Sequence, residues 1–226
     1  RVILELTSSL SHEKIDVYSE KDTLIIQTLT TKSSILGINS QEFPKIFEGE
    51  KKLLGTISKK KLKEIIKHVS FSASMDEGRP VLTGILVKLD KNLSFVATDG
   101  YRLSLQKISD EHFTKGNDGK ELIIPVKIFK QLLLLLSEKG EEDIQFYQSL
   151  NKNQIVVQAG ESLLVGRLLE GEFPNYERII PTSKNTQVVL DREGLLKYVK
   201  TCAVFARESY NIMGVKIYKN TASLSA

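Results

Sequence analysis

The segment ISKKKLKEIIKHVSFSA, residues 57–73, is similar to a second segment, LDREGLLKYVKTCAVFA, at residues 190–206. This internal repeat decides the fold that the sequence predicts. In the first segment Leu62, Ile65, Ile66 and Val69 recur at three- and four-residue intervals, the spacing of the buried stripe of an amphipathic helix. Ser58 stands where a helix N-cap is expected. A helix pattern that returns 133 residues later indicates a chain built from repeated units.

A second pair of segments repeats at nearly the same distance. GINSQEFPKI at residues 37–46 corresponds to RLLEGEFPNY at residues 167–176, so that Phe-Pro occurs at 43–44 and again at 173–174. The strand-like stretches keep the same order, and the matching pairs are 15–18 with 144–147, 24–27 with 155–158, 35–37 with 164–166 and 84–87 with 214–217. The repeat predicts one complete module of about 130 residues between two partial modules, so we expect an internal fragment of a longer chain.

The elements within each unit are helices followed by strands. Helices with an apolar stripe and lysines on the opposite face are predicted at residues 57–69, 126–138 and 191–203. Short β-branched or alternating segments, typical of strands, occur at residues 84–89, 94–97, 144–147 and 155–158. The sequence therefore predicts an α+β fold in which antiparallel sheets are covered on one face by paired helices.

The composition is that of an ordinary globular protein, with 226 residues of which 41% are hydrophobic and 27% charged. The longest apolar run, residues 132–136, is far shorter than the roughly 18 residues that a membrane span needs. The single cysteine, Cys202, cannot form a disulfide within the chain, which favours a reducing compartment, so we expect a cytoplasmic protein. Residues 59–67 contain five lysines and one acid, Glu64, so this segment alone carries a charge equal to the net charge of +4 of the chain.

No catalytic or metal-binding motif stands out in the sequence. His12, His68 and His112 lack the spacing of metal ligands, and there is no nucleophile elbow, Walker A motif or dinucleotide fingerprint. The run Glu141-Glu142-Asp143, with Asp99, leaves open an enzyme that acts on nucleic acid through carboxylates and metal ions. A run of adjacent acids is more often a solvated turn, so we expect a protein that is not an enzyme and needs no cofactor.

Three motifs together resemble one known family. VATDGYRLSLQ at residues 96–106, RPVLTGILV at 79–87 and FPNYERIIP at 173–181 are similar to signature segments of the bacterial sliding clamp, the beta subunit of DNA polymerase III. The resemblance implies three repeated modules per chain and a ring of two chains, joined head to tail, around double-stranded DNA. Helices would line the hole and sheets would lie outside. The implied function is processivity in DNA replication, without catalysis.

The resemblance also implies module boundaries and partners. Residues 1–52 would be the second half of clamp module one, residues 53–182 the complete clamp module two, and residues 183–226 the first half of clamp module three. The partners would be the catalytic subunit of DNA polymerase III and the clamp loader, which bind through short peptides. A β-rich peptide-binding scaffold without a DNA role is a further alternative, which the placement of the lysines argues against.

Two sets of site residues follow from the resemblance. The lysines that would face the DNA without reading its sequence are Lys60, Lys63, Lys67, Lys127, Lys130, Lys197 and Lys200. The family's pocket for partner peptides matches Leu82, Thr98, Gly100, Tyr101, Arg102 and Leu103 on one wall and Pro174, Arg178 and Ile179 on the other. Asn175 and Glu177 depart from the family pattern at the rim. The family completes this pocket with the end of module three, which the sequence does not include.

Overall fold

The structure is a computed structural model that describes residues 2–10, 14–44, 49–90, 92–109, 119–136, 143–150, 153–208, 210–219 and 221–226. The chain divides into two compact units, Arg1–Pro174 and Asn175–Ala226. The first unit contains α1 (Val2–Ser9), α2 (Lys59–Val69) and α3 (Val126–Leu135). The second unit contains α4 (Arg192–Ala206). None of the helices in the described part of the chain is long and apolar enough to cross a membrane.

The strands of the first unit form three antiparallel sheets. A three-stranded meander consists of β1 (Asp16–Glu20), β2 (Thr23–Gln27) and β3 (Lys32–Leu36). One four-stranded sheet has the order β7 (Leu103–Ile108), β6 (Leu93–Thr98), β5 (Gly84–Leu89), β8 (Lys120–Pro125). The other has the order β11 (Ser162–Arg167), β10 (Gln154–Ala159), β9 (Asp143–Ser149), β4 (Lys51–Ser58).

The core of the first unit lies where α2 and α3 pack against each other and against the two four-stranded sheets. The predicted stripe of α2 is confirmed, because Leu62, Ile65, Ile66 and Val69 are all buried. The stripe of α3 supplies Phe129, which is 1% exposed. The predicted α+β class, with helices covering one face of antiparallel sheets, is therefore confirmed.

The predicted start of α2 was wrong, because the residues before Lys59 belong to strand β4. Ile57 was assigned to the helix but belongs to β4, whose residues pair with β9 from Lys51 opposite Ser149 to Ser58 opposite Asp143. The helix begins at Lys59 because the Ser58 hydroxyl accepts a hydrogen bond from the Lys61 N–H at 3.4 Å. Ser58 therefore caps the helix, as predicted, and is also the last residue of the preceding strand.

The segment that follows β11 ties the two four-stranded sheets together. The Leu168 N–H donates to the carbonyl of Asn153 at 2.9 Å, and the Leu169 N–H donates to the carbonyl of Ile123 on β8, also at 2.9 Å. Gly84 leaves room for this return, since a Cβ there would stand 2.8 Å from Cδ1 of Leu169. The Phe-Pro motif follows directly, with Phe173 buried in the first unit.

The second unit consists of α4 and a hairpin of β12 (Gly214–Ile217) and β13 (Ala222–Ser225). Asp191, predicted as the first helical residue, is instead the N-cap, since its Oδ2 accepts from the Gly194 N–H at 2.6 Å. The helix also continues beyond the predicted end at residue 203 to Ala206. It packs against β13.

The predicted repeat of elements is present in the structure. The order α1, β1, β2, β3 returns as α3, β9, β10, β11, and the order α2, β5, β6 returns as α4, β12, β13. Gly84 and Gly214 occupy the same position, at the start of the first strand after each helix. Helix α1 is an element that the sequence analysis did not predict. Helix α3 ends at Leu135, and residues 137 and 138 of its predicted range lie outside the described residues.

Candidate functional site

The turn between β6 and β7 is held by side chains of its own residues. The Thr98 hydroxyl donates to the carbonyl of Arg102 at 2.8 Å and accepts from the Gly100 N–H at 3.1 Å. One carboxylate oxygen of Asp99 accepts from the N–H groups of Tyr101 and Arg102, at 2.9 and 3.0 Å. Gly100 has φ +94°, a left-handed conformation that favours glycine. The motif TDGYR therefore encodes a rigid turn.

The same turn fixes the direction of a guanidinium group. Nε of Arg102 donates to the second carboxylate oxygen of Asp99 at 2.9 Å, and the guanidinium carbon lies 5.7 Å from the centre of the Phe71 ring. The N–H groups of Arg102 and Tyr101, followed by the Arg102 guanidinium, lower the pKa of the Asp99 carboxyl below its ordinary value. Asp99 is therefore an anion at neutral pH, and Arg102 is held beside an exposed aromatic ring.

A short 3-10 helix, Pro80–Thr83, lies between this turn and the Phe-Pro segment. Its buried Leu82 accepts a backbone hydrogen bond from Ser74 at 2.8 Å. Arg79 directly precedes the helix, and its Nη1 would lie 3.4 Å from a Cβ on Gly100 of the turn. Val81 belongs to the helix, and its Cγ2 would lie 2.8 Å from a Cβ on Gly171. The structure thus brings the 3-10 helix, the 98–103 turn and the segment leading to Pro174 into one region of the first unit.

The predicted pocket residues divide between the two units. Those of the first wall, together with Pro174, lie in the first unit: Leu82 and Thr98 are buried, Leu103 is half-buried, and Gly100, Tyr101, Arg102 and Pro174 are exposed. Arg178 and Ile179 lie in the second unit, at the end of the short 3-10 helix Tyr176–Arg178, and both are exposed. Asn175 is the N-cap of that helix. Tyr101 is 96% exposed and Ile179 is 63% exposed, so both present apolar side chains to solvent.

The predicted lysines lie on the solvent faces of three helices. Lys60 and Lys67 on α2, Lys127 and Lys130 on α3, and Lys197 and Lys200 on α4 are exposed, whereas Lys63 is half-buried. Lys127 forms an ion pair with Glu77 at 3.6 Å. Within the described residues the other six have no ion-pair partner, so their charge is available to a ligand. Exposed lysines of this kind, on α2 and α3 of the first unit and on α4 of the second, are suited to contacts with phosphates.

The carboxylates that suggested an enzyme do not assemble in the described part of the chain. No group of three or more His, Cys, Asp or Glu residues among the described residues could hold a metal ion. Asp99 is engaged by its own turn and by Arg102. Glu141 and Glu142, like His12 and His112, lie outside the described residues.

The sequence analysis missed a second turn beside the first. Asp76 accepts from the Gly78 N–H at 2.9 Å and from Nε of Arg79 at 3.0 Å. The Gly78 N–H and the Arg79 guanidinium lower the pKa of the Asp76 carboxyl. The signal that could have revealed it is the spacing Asp-x-x-Arg, which occurs at 76–79 and again at 99–102.

A cleft of about 420 Å³ lies in the first unit, where β8 meets the segment after β11. Its lining includes Leu86, Lys120, Gln148 and Phe173. Loss of hydration on burial, and secondarily the charge of Lys52, lower the pKa of the Lys120 ammonium. None of the predicted pocket residues lines this cleft, but its lining includes Gly171, which approaches Val81 of the 3-10 helix, so the cleft adjoins the candidate peptide site.

Comparison with known proteins identifies the family. Residues 56–175 match the family described as DNA polymerase III beta subunit, central domain. The chain therefore belongs to the DNA polymerase III beta subunit family. The beta sliding clamp of Chlamydia trachomatis is 32% identical over 213 residues, which are 92% of this chain and 49% of that protein. The beta sliding clamp of Pseudomonas aeruginosa is 27% identical over 229 residues, covering 100% of this chain and 61% of the relative.

Solved structures give the same fold. The crystal structure of the DNA polymerase sliding clamp from Pseudomonas aeruginosa with ligand has a TM-score of 0.81 and 25% identity, over 98% of this chain and 60% of that one. The sliding clamp from Bartonella birtlesii bound to griselimycin has a TM-score of 0.83 and 23% identity over the same shares. The chain thus spans about half to three fifths of the length of these relatives.

Proposed function

We propose that the complete protein is a DNA sliding clamp, which makes the replicative DNA polymerase processive by encircling double-stranded DNA. The observation that carries the proposal is the match of residues 56–175 to the central domain of the DNA polymerase III beta subunit. Curated relatives that match almost the whole chain are named beta sliding clamp. A clamp acts by topology, so it needs a ring and a surface that tolerates DNA rather than a catalytic centre.

The repeated elements support a division into modules. In this proposal residues 1–52 are the second half of module one, residues 53–182 are module two, and residues 183–226 are the first half of module three. The return of α1, β1, β2, β3 as α3, β9, β10, β11 supports the repeat. Two complete chains would close head to tail into a homodimer ring.

The lysines on the helices support a DNA-facing role. Lys60, Lys63 and Lys67 on α2, Lys127 and Lys130 on α3, and Lys197 and Lys200 on α4 would attract backbone phosphates without reading base edges. Such contacts are individually weak and screened by salt, so the complete ring could move along the duplex while it stays threaded. Lys127 would contribute least, because Glu77 partly neutralises it.

The turn at 98–103 and the adjacent 3-10 helix support a peptide-binding role. Leu82, Thr98, Gly100, Tyr101, Arg102 and Leu103 would form one wall, and Pro174, Arg178 and Ile179 would contribute the other. The rigid turn and the exposed Tyr101 offer a preformed apolar surface, which lowers the entropic cost of binding. The peptides would belong to the polymerase catalytic subunit and to the clamp loader, and the protein would act in the cytoplasm without a cofactor.

The decisive experiment separates topological from contact binding. The complete gene product is loaded onto nicked circular DNA by a clamp loader, and the complex is isolated by gel filtration before and after the circle is cut. We expect the protein to stay on the circle and to leave the linear duplex by sliding off the ends. Equal retention on both would contradict a ring, and Mg²⁺-dependent degradation of the DNA would favour a carboxylate enzyme instead.

A further inference from the structure

Lys120 is the first residue of β8 and lies at the edge of the core of the first unit. Alternate residues of a strand share a face, so Lys120 is on the same face as Leu122 and Ile124, which both belong to the core. The residue is half-buried and lines the cleft of about 420 Å³. A lysine therefore occupies the position at which the buried row of β8 reaches the surface.

A second lysine reaches the same end of the core from the other four-stranded sheet. Lys52 on β4 pairs with Gln148 on β9, and paired residues of antiparallel strands point to the same side of the sheet. Gln148 lines the cleft, and it shares its face of β9 with Ile144 and Phe146 of the core. Loss of hydration on burial, and then the charge of Lys52, lower the pKa of the Lys120 ammonium. The two lysines therefore interact although they belong to different sheets.

The acids around the cleft do not neutralise Lys120. Glu121 lies on the opposite face of β8 and forms an ion pair with Nζ of Lys88 at 3.3 Å. Glu172, in the segment after β11, lines the cleft but is exposed. Within the described residues, no carboxylate lies at ion-pair distance from Lys120. No counter-ion in this part of the chain therefore stabilises its ammonium form.

Partial burial and a neighbouring cation are the two conditions that make a lysine nucleophilic. Both favour the neutral amine, which is the form that attacks a carbonyl carbon. We propose that Lys120 is an acylation site, that an acyl phosphate supplies the acyl group, and that the cleft holds the product. The apolar side chains of Leu86 and Phe173 in the lining offer contacts to the acyl group. The charge of Lys52 favours a donor that carries negative charge.

The reaction is an acyl transfer in which nothing is oxidised or reduced. The lone pair of Nζ of Lys120 forms a C–N bond to the carbonyl carbon, and the C–O bond to the phosphate breaks. Phosphate leaves with the electron pair of that bond, and Nζ releases its proton to solvent. The product is a neutral amide, so the charge of Lys120 is lost. Because a charged group at the edge of the core opposes folding, the amide should stabilise the first unit.

The test compares the lysines of one protein with one another. The complete gene product is treated with acetyl phosphate until a small fraction of its lysines has reacted. It is then unfolded, and the remaining amines are blocked with deuterated acetic anhydride, so that mass spectrometry of peptides gives the acetylated fraction at each lysine. We expect Lys120 to react at least about threefold faster than the exposed lysines of strands β3, β7 and β12, which are Lys32, Lys107 and Lys216. A rate at Lys120 equal to theirs or lower overturns the proposal.

Two adjacent lysines of β4 provide matched variants. Lys52→Met removes the cation on the side of the cleft, and we expect it to slow the acylation of Lys120 at least about twofold. Lys51 points to the opposite face, where its Nζ lies 4.0 Å from the centre of the Tyr147 ring, so Lys51→Met should leave the rate unchanged. Equal slowing by both variants would show that net charge governs the rate and would overturn the role of Lys52.

Two further measurements test the cause and the product. The advantage of Lys120 over the exposed lysines should shrink as the pH rises towards 10.5, because all the amines are then largely neutral. An advantage that is independent of pH would contradict activation by burial.

Replacement of Lys120 by Nε-acetyllysine during translation should raise the melting temperature, whereas the same replacement of Lys107 should not. A fall in melting temperature would show that the cleft does not hold the acyl group. Retention on circular DNA is measured separately, so failure of this proposal and failure of the clamp function are distinguishable.

Discussion

The ring of Phe129 meets the ring of Phe95 edge to face, with centroids 6.4 Å apart and ring planes at 77°. Phe95 lies on β6 and Phe129 on α3, so this pair joins a helix of the core to a central strand of the sheet that carries the 98–103 turn. Both side chains are almost fully buried. The contact therefore links the stability of the core to the placement of the candidate peptide site.

Removal of the Phe129 ring should destabilise the first unit strongly. We expect Phe129→Ala to lower the free energy of unfolding by about 3–5 kcal/mol, because it leaves a cavity in a packed core and removes an aromatic pair. Urea unfolding followed by circular dichroism measures the change. Phe71→Ala, which truncates a half-exposed ring, is the control and should cost less than about 1 kcal/mol. Equal effects would mean that Phe129 is not part of the core.

Reversal of charge on the helices should impair retention on DNA. We expect the combined changes Lys60→Glu, Lys67→Glu, Lys197→Glu and Lys200→Glu to shorten the lifetime of the loaded protein on circular DNA and to reduce its salt dependence, because each removed lysine takes away a phosphate contact. Gel filtration of loaded circles at increasing salt measures both. Peptide affinity should not change.

A control for that prediction uses lysines of strands instead of helices. Lys32 on β3, Lys107 on β7 and Lys216 on β12 are exposed and alter the net charge in the same direction when changed to Glu. We expect this variant to be retained on circles like the wild type. If both sets shorten the lifetime equally, net charge rather than helix position governs retention, and the DNA-facing assignment is wrong.

Truncation of an apolar pocket residue should weaken peptide binding. Leu103 is half-buried and pairs with Thr98 at the start of β7, next to the rigid turn. A buried apolar anchor typically contributes about 2 kcal/mol, so we expect Leu103→Ala to weaken the peptide roughly thirtyfold in an anisotropy titration. Leu163→Ala on β11, at a position 50% exposed, should leave the affinity unchanged. An affinity within twofold of wild type for Leu103→Ala would remove that residue from the site.

Lys120, which lines the cleft, has a lowered pKa, and we therefore expect the stability of the protein to depend on pH. Burial lowers the pKa of Lys120 from 10.5 in the folded chain, so the protonated side chain opposes folding at neutral pH, and this penalty disappears as the pH rises towards 10.5. Lys120→Met should therefore increase the free energy of unfolding at pH 7, with a difference from wild type that shrinks in alkali. Urea titrations between pH 7 and 10 test this, with Lys107→Met as the exposed control. A decrease in stability at pH 7 would contradict the assignment.

The sequence predicted the parts of the fold that local patterns encode. The stripe of α2 and its Ser58 cap follow from residues within a few positions of one another, and so does the strand that contains Phe95. Strand β4 was missed because its partner, β9, is distant in the chain, and because KKLL at its start contains no alternating pattern. Pairing over such a distance is a tertiary effect that overrides local preference.

The sequence likewise identified residues of the candidate site but not the contacts between separate segments that position them. The residues around Asp99 and Arg102 were assigned to the site through the resemblance alone, although the turn that they form is held by neighbours in sequence. The turn at Asp76 and Arg79 is held by near neighbours too, but its position beside Gly100 is a contact between separate segments that no local pattern predicts. The lysines could be assigned to helix faces, but only the folded helices show that Lys63 is half-buried and that Lys127 is paired.

The pairing of β4 with β9 also sets an order of events during synthesis. Lys51 pairs with Ser149 and Ser58 with Asp143, so β4 leaves the ribosome long before its partner exists. At about 5–20 residues per second, β4 waits roughly 5–20 seconds, while β5, β6, β7 and β8 can already pair with one another. Non-local pairing of this kind is intrinsically slow, because the entropy of closing a long loop is lost before the contacts form. A nascent chain that ends before residue 143 should therefore have an unprotected β4 in hydrogen exchange, whereas β5 and β6 are already protected.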